Sequence, residues 1–455
     1  MTEKRKKMIS NVDRLSALPD PITHQILSSL NVKEVVQTSV LSRRWRCVWK
    51  STPFLDFDID SLRSKGLALM NFVDCTLRSR YSTSIRSFNI NCWTELDASW
   101  FSTWVCCLLA RNVQDFAVTS GFDGSLELPH SLFTSNITTI KVINNGIFDV
   151  QLPISMCTTP KIRSLILGKV RLSNGNSKGE LVITYPELKH LSLGNCCYGH
   201  LKRLTLSPPL LESLSFINEM CRMNASCKIN IDCPNLKSLD LHQHLYQDYA
   251  LKNLFALVNA HIHLVVRKSM STTEVEQRIV SILTEIRNVS SLELHVISSK
   301  FVTDFTQRLE GFQNLKRLQL CTVSVSVCAI ANFLERLPHI ESFVWDRSYE
   351  VYSHPDQEEV WTSYLSMLPS FWCLRTVEFC DALQNEDELR FLKILLQKAV
   401  VLEEVIIRAV KQESVEFTTK LSNLPRASPR ALMSTHYLYT EQNLLILLLL
   451  YLRTG

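Results

Sequence analysis

The 455-residue sequence lacks the short signatures of most enzyme classes. It has no G-x-x-x-x-G-K-S/T, G-x-G-x-x-G or G-x-S-x-G frame, which removes the common phosphate-cradling loops and the nucleophile elbow. Nothing pairs a nucleophile with a base. It holds 15 Cys but no C-x-x-C spacing. The adjacent pairs Cys106-Cys107 and Cys196-Cys197 would point to opposite faces of a strand. His242/His244 and His261/His263 are i, i+2 pairs that would share a strand face. Two imidazoles need a third ligand, and no nearby Cys or acid completes the spacing. The expectation is no catalytic residue, no cofactor and no metal.

Long apolar runs are also missing. MTEKRKKMISNVDRLS has no apolar segment of the secretory kind. Leu444 to Leu452 is the most apolar stretch, and nine residues fall short of the roughly 20 that cross a bilayer. The expected setting is therefore intracellular, nucleus or cytoplasm, with free thiols rather than disulfides. Charge of either sign is modest overall, at a formal net of +5. It is unevenly spread. Residues 1–50 hold 10 Lys+Arg and 4 Asp+Glu, a net of +6, so the remaining 405 residues sum to −1. Attraction to an acidic partner would sit at the N-terminus. The cluster Lys4–Lys7 reads as a solvated tail at 1–10 or a nuclear import signal.

Tryptophan is scarce, with 8 residues in the chain, yet SVLSRRWRCVW sets Trp45 and Trp49 four apart among arginines. The surrounding pattern is helical. Asp20 before Pro21 reads as an N-cap with Pro at the first helical position. Leu18, Ile22, Ile26, Leu27 and Leu30 then recur at helical spacing. Asn31 and Glu34 form a capping-box pattern that opens a second helix with Val35, Val36, Ser39 and Val40 on one side. Ser42 can cap a third, which puts Trp45 and Trp49 on one face. Three short helices in about 40 residues carry more apolar side chains than they can bury among themselves. The surplus marks a docking module.

This segment resembles an F-box, the adaptor-docking module of SCF-type ubiquitin ligases. The residues that carry the likeness are Leu18-Pro19, Ile26-Leu27-Ser28, the run Thr38 to Ser42, Arg44-Trp45 and Trp49. The SVLSRRW variant with a second Trp is similar to the large plant F-box family. The resemblance implies that Leu18, Pro19, Ile22, Ile26, Leu27, Leu30, Val36, Val40, Leu41, Trp45 and Trp49 lie at or beneath the surface that binds an acidic SKP-type adaptor.

The rest of the chain repeats itself. YPELKHLSLGNC gives an L-x-x-L-x-L-x-x-C frame at Leu188, Leu191, Leu193 and Cys196. Copies start at 85, 113, 137, 162, 188, 211, 236, 289, 315, 340, 374 and 402, mostly 23 to 28 apart. The 53-residue gap after 236 has room for a degenerate copy at Leu257-Ala260-Ile262. This is the leucine-rich-repeat signature. Each copy reads as a short strand with one buried face, stacked on its neighbours in a solenoid with a concave parallel sheet. After the degenerate copy, Thr273 and Glu276 predict a capping box, and Val275, Ile279, Ile282, Leu283 and Ile286 a helix. The 34-residue step from 340 holds WDRSYEVYSHPDQEEVW, Trp345 to Trp361, read as a polar, aromatic surface insertion.

Towards the C-terminus, CLRTVEFCDALQNEDELRFLKILLQKAVVLEEVII reads strand, helix, strand. Asn385 and Glu388 would cap the helix, with Leu389, Leu392, Leu396 and Ala399 on one face. With LPRASPRA, 424–431, this resembles the FBD motif of plant F-box/leucine-rich-repeat proteins, although Cys380-Asp381-Ala382 replaces the usual glycine-containing turn. The fold expected is mixed α/β: a tail at 1–10, an F-box at 11–55, a solenoid at 56–370, an FBD-like cap at 371–431 and an unassigned apolar tail at 432–455.

The family likeness implies the non-catalytic substrate receptor of an SCF-type cullin-RING ligase, docking a SKP-type adaptor through the F-box and a target protein through the repeats. Two other readings stand beside it. One is a repeat scaffold outside any ligase. The other is a nucleic-acid binder using the basic, Trp-bearing segment 43–50, against which the shared buried face of Trp45 and Trp49 argues.

Overall fold

The computed structural model describes residues 15, 17–59, 62, 65–80, 84–147, 149–153, 161–218, 227–245, 248–266, 270–297, 312–322, 327–346, 370–380, 386–409 and 424–437. The basic tail at 1–10, residues 347–361 of the expected insertion, Asp381-Ala382, Asn385 and the run Leu444–Leu452 lie outside them. So does the side chain of Glu388. The chain divides into two units, 1–201 and 202–455.

The first unit opens with three short helices, α1 (Asp20–Leu27), α2 (Val32–Gln37) and α3 (Trp45–Val48), with a 3₁₀ turn at Thr38–Val40. The main chain then enters a parallel ladder. Its strands are Phe54–Phe57, Ser87–Leu96, Asp115–Phe122, Thr139–Asn144, Ser164–Gly168 and His190–Gly194. The register stacks equivalent repeat positions in columns. Leu55, Phe88, Phe116, Ile140, Leu165 and Leu191 form one, and Phe57, Ile90, Val118, Val142, Leu167 and Leu193 the next. All twelve are buried. Parallel neighbours need a long return path, supplied by helices at Gly66–Ser79, Ala98–Ala110 and His130–Thr134 in the early repeats. Cys106 and Cys107 lie on the second of these helices, not on a strand.

The second unit continues the same logic. Strands at 213–217, 238–244, 259–265, 291–297, 317–322, 342–346, 376–380, 404–409 and 432–437 pair in parallel in that order. A column of Leu214, Leu239, Ala260, Leu292, Leu318, Phe343, Val377 and Val405 runs through them. Return arms here are first extended, at Arg203–Leu206, Lys228–Asp232 and Tyr249–Lys252, which form their own parallel ladder. Later arms are helices at Thr272–Glu285, Val327–Glu335 and Glu386–Lys398.

Each predicted repeat start opens a strand two residues later, the degenerate copy at Leu257 included. Besides the strands of the return arms, two strands escape the sequence pattern, Phe54–Phe57 and Leu432–Tyr437. Their first repeat position holds Thr52 and Arg430, so the apolar frame is broken there. The first of them runs across the expected boundary at residue 55. The pattern also misses a buried polar position seven residues after the repeat start. Ser120, Asn144, Asn218 and Gln243 occupy it, all buried. Asn144 Oδ1 accepts the Gly146 N–H at 3.0 Å, and Gln243 Nε2 donates to the Phe216 carbonyl at 3.0 Å. These side chains satisfy backbone groups where the ladder ends.

Three local expectations need correction. Helix Thr272–Glu285 is capped by Ser271, whose Oγ accepts the Glu274 N–H at 3.2 Å, so the cap lies two residues before Thr273. The five predicted apolar positions of this helix are buried as expected. Asp20 is the first helical residue of α1 and Pro19 its cap. Trp345, third apolar position of the repeat copy Ile340-Phe343-Trp345 and also the first residue of the expected surface insertion, belongs to the core, with ring centroids 6.1 Å from Phe379 and 5.8 Å from Phe391. On helix Glu386–Lys398, Leu392 and Leu396 are buried and Leu389 is half-buried, and Ala399 just after it is buried too. The 424–431 segment is strapped to it: Ala427 donates its N–H to the Leu396 carbonyl at 2.9 Å, and Ser428 Oγ donates to that of Leu402 at 2.6 Å.

Candidate functional site

The predicted docking residues fall into two sets. Leu27, Val35, Trp45 and Val48 form a closed core for the three short helices, with Leu30 and Trp49 packed against it. Trp45 is 4% exposed and Leu27 2%. Burying such side chains stabilises the module by about 1.5–3 kcal/mol each. These two residues lie beneath the surface. The capping box of α2 is formed in full: Glu34 donates its N–H to Asn31 Oδ1 at 3.0 Å, and Asn31 N–H returns to Glu34 Oε2 at 3.1 Å. Ser42 Oγ accepts the Trp45 N–H at a long 3.5 Å.

The second set faces outward. Ile22 and Ile26, one turn apart on α1, are each 46% exposed. Val40 is 88% exposed and Leu41 57%. Pro19 is exposed, while Leu18 and Val36 are half-buried. One apolar stripe expected along α1 is thus split. Leu27 turns in with the buried Thr23, whose Oγ1 donates to the Pro19 carbonyl at 3.2 Å, and the isoleucines turn out. Val40 is turned out because the helix tightens at Thr38–Val40, where Thr38 Oγ1 donates to the Val35 carbonyl at 2.7 Å. Arg44 pairs with Asp20, which ties the segment after this turn to the start of α1. Arg43 and Arg46 are exposed beside it. Lys50 lies 5.7 Å from the centre of the Trp49 ring, so Trp49 is covered partly by a cation.

Sequence reasoning missed what fastens this module to the repeats. Arg80, at the end of the first return helix, is 6% exposed. Its guanidinium donates to the Trp49 carbonyl at 3.1 Å, to Thr52 Oγ1 at 3.3 Å and to the Thr52 carbonyl. Burial, with Arg111 nearby, pulls its pKa down to about 10, so it stays charged at neutral pH. His24 Nε2 meets Ser51 Oγ at 3.2 Å. Burial holds the His24 imidazole below its usual value, partly offset by Asp20 and reinforced by Arg80. No sequence spacing signals these long-range contacts.

The fold supplies third groups that the sequence spacing did not signal. Acids do join the histidine pairs: Asp240, His242 and His261 bring donor atoms together, and so do His261, Glu293 and His295. Asp240 lies two residues from His242 on the same strand face. Glu293 and His295 come from the neighbouring strand. No helix among the described residues is long and apolar enough to cross a membrane.

Comparison with known proteins agrees with this geometry. Residues 15–57 match the F-box domain. Three F-box/LRR-repeat proteins of Arabidopsis thaliana align over most of the chain. One is 29% identical over 338 residues, 71% of this chain and 98% of its own length. Another is 26% identical over 465 residues, 92% of this chain and 87% of its own. The third is 26% identical over 460 residues, 95% of this chain and 76% of its own.

Proposed function

We propose that this chain, a plant-type F-box/leucine-rich-repeat protein, is the substrate-recognition subunit of an SCF-type cullin-RING ubiquitin ligase. The F-box domain and the F-box/LRR relatives imply a substrate-adaptor role in general. The finer reading is that Pro19, Ile22, Ile26, Val40 and Leu41 touch a SKP-type adaptor, with Leu18, Leu30, Val36 and Trp49 at the margin. Leu27 and Trp45 hold that surface in shape. The observation that carries it is the split of one apolar sequence pattern into a complete core and an exposed remainder. An exposed apolar set on so small a module has a partner as its physical outlet. The exposed Arg43 and Arg46 suit an acidic one.

The repeats would hold a target protein near the ubiquitin-loaded enzyme. Rate enhancement then comes from tethering, which raises the effective concentration of target lysines. The chain itself makes and breaks no bonds in this reading. The C-terminal strand, helix and 424–431 strap would close the array as an FBD-type end.

The test is a titration of purified SKP-type adaptor against the full chain and against an Ile22→Ala, Ile26→Ala, Val40→Ala variant at two salt concentrations. Expected is tight binding that changes little with salt and is lost in the variant, with circular dichroism unchanged. A folded wild-type chain that does not bind overturns the ligase reading. Binding that collapses with salt and is competed by nucleic acid favours the nucleic-acid alternative.

A further inference from the structure

The outward side of three neighbouring strands in the second unit, opposite buried Leu239, Ile262 and Leu294, carries two rows of polar rings and acids. The register aligns Asp240, His261 and Glu293 in one row and His242, His263 and His295 in the next. Neighbouring imidazole centroids lie 4.7 Å (His242–His261), 4.9 Å (His242–His263), 5.1 Å (His261–His295) and 5.3 Å (His263–His295) apart.

We propose that Asp240, His242 and His261 bind a divalent first-row transition cation of the zinc type. Asp240 Oδ1 lies 2.9 Å from His242 Nε2 and 3.1 Å from His261 Nδ1. A tetrahedral ion with bonds of about 2.0–2.1 Å spaces its ligand atoms about 3.4 Å apart, so small shifts admit it. The far atoms of two of the three ligands are also held. His261 Nε2 lies 3.7 Å from Glu293 Oε1, within ion-pair reach but not hydrogen-bonded. His242 turns Nδ1 towards His263 Nδ1 at 3.3 Å. Ser215 Oγ donates to Asp240 Oδ2 at 2.9 Å. Such outer contacts fix ring orientation and tautomer in metal sites.

Two imidazoles with one carboxylate select zinc, iron, cobalt or nickel over magnesium or calcium, which prefer all-oxygen sites. Three protein ligands leave one coordination position open. This site does not depend on the ligase reading.

The full-length chain, stripped with a chelator and dialysed, would be titrated with Co²⁺ and then Zn²⁺. One Co²⁺ per chain should bind with visible absorption bands of four- or five-coordinate cobalt, and Zn²⁺ should bleach them. Asp240→Asn, nearly isosteric, and His261→Ala should each abolish the bands with the fold intact by circular dichroism. Glu293→Gln should weaken binding roughly 10–100-fold. His190→Ala, on an exposed position of the first unit, should change nothing. Absence of the bands, their survival in Asp240→Asn, or thiolate-to-cobalt charge-transfer bands would overturn the assignment. Loss in Glu293→Gln with full binding in Asp240→Asn would do so too, since it moves the ion to Glu293 and His295.

Discussion

At the scale of single residues, apolar character alone does not separate buried from exposed positions. Trp45 and Ile26 fit the same helical pattern, yet one is buried and the other half in solvent. Their truncations should therefore part company. Trp45→Ala empties the small core and should cost about 3–5 kcal/mol, read as earlier thermal unfolding and faster proteolysis within 15–57. Ile26→Ala should change stability by about 0.5 kcal/mol or less and, on the proposed function, weaken adaptor binding. Equal loss of stability in both variants would count against the division. His24 adds a pH test. Its folded value is held down by burial, so the unfolded chain takes the proton more readily. Stability from neutral His24 is present above the unfolded value of about 6.5 and is lost as pH falls below it. His24→Gln should lose less stability than wild type between pH 7 and pH 5. Parallel pH curves for the two chains would refute this.

At the scale of elements, caps and anchors decide where helices start and what they hold. Ser271 closes one orphan donor of helix Thr272–Glu285. Ser271→Ala should cost about 1 kcal/mol and speed hydrogen exchange at the first helical turn, whereas Thr273→Ala should not. Arg80 holds the end of the F-box to the first repeat. Arg80→Met keeps the bulk but strips donors from the Trp49 and Thr52 carbonyls, each costing about 1–3 kcal/mol if left dry. Trypsin or chymotrypsin cleavage near 49–54 should accelerate; unchanged kinetics would mean that these carbonyls find other donors.

At the scale of the whole molecule, ladders extend past the limits their sequence pattern suggests. Phe54–Phe57 lies inside the F-box match yet pairs with Ser87–Ile90. Deleting residues 1–57, which include the F-box match, would also bare one edge of the first ladder. At the other end, Leu432–Tyr437 covers the strand Glu404–Ala409. A chain ending at Ala431 should expose that edge and aggregate more readily, as read by light scattering on warming. Equal solubility of the truncated and full chains would show that the last strand is dispensable cover.

Periodicity made most of this architecture legible without coordinates. An apolar frame recurring every 25 residues or so cannot bury its face except against copies of itself, so strand, spacing and stacking order follow from one-dimensional pattern. The F-box is legible for the same reason, with Asn31 and Glu34 announcing α2 and Trp45 its core. Thr52 and Arg430 hid two strands because a polar residue in the first slot erases the frame while leaving the backbone able to pair. Tertiary structure alone decided which apolar residues of α1 face outward, because inward and outward positions differ by a fraction of a helical turn. It alone brought Arg80 to Thr52 and Glu293 to His261, since neighbours across a parallel ladder are separated in sequence by a whole repeat.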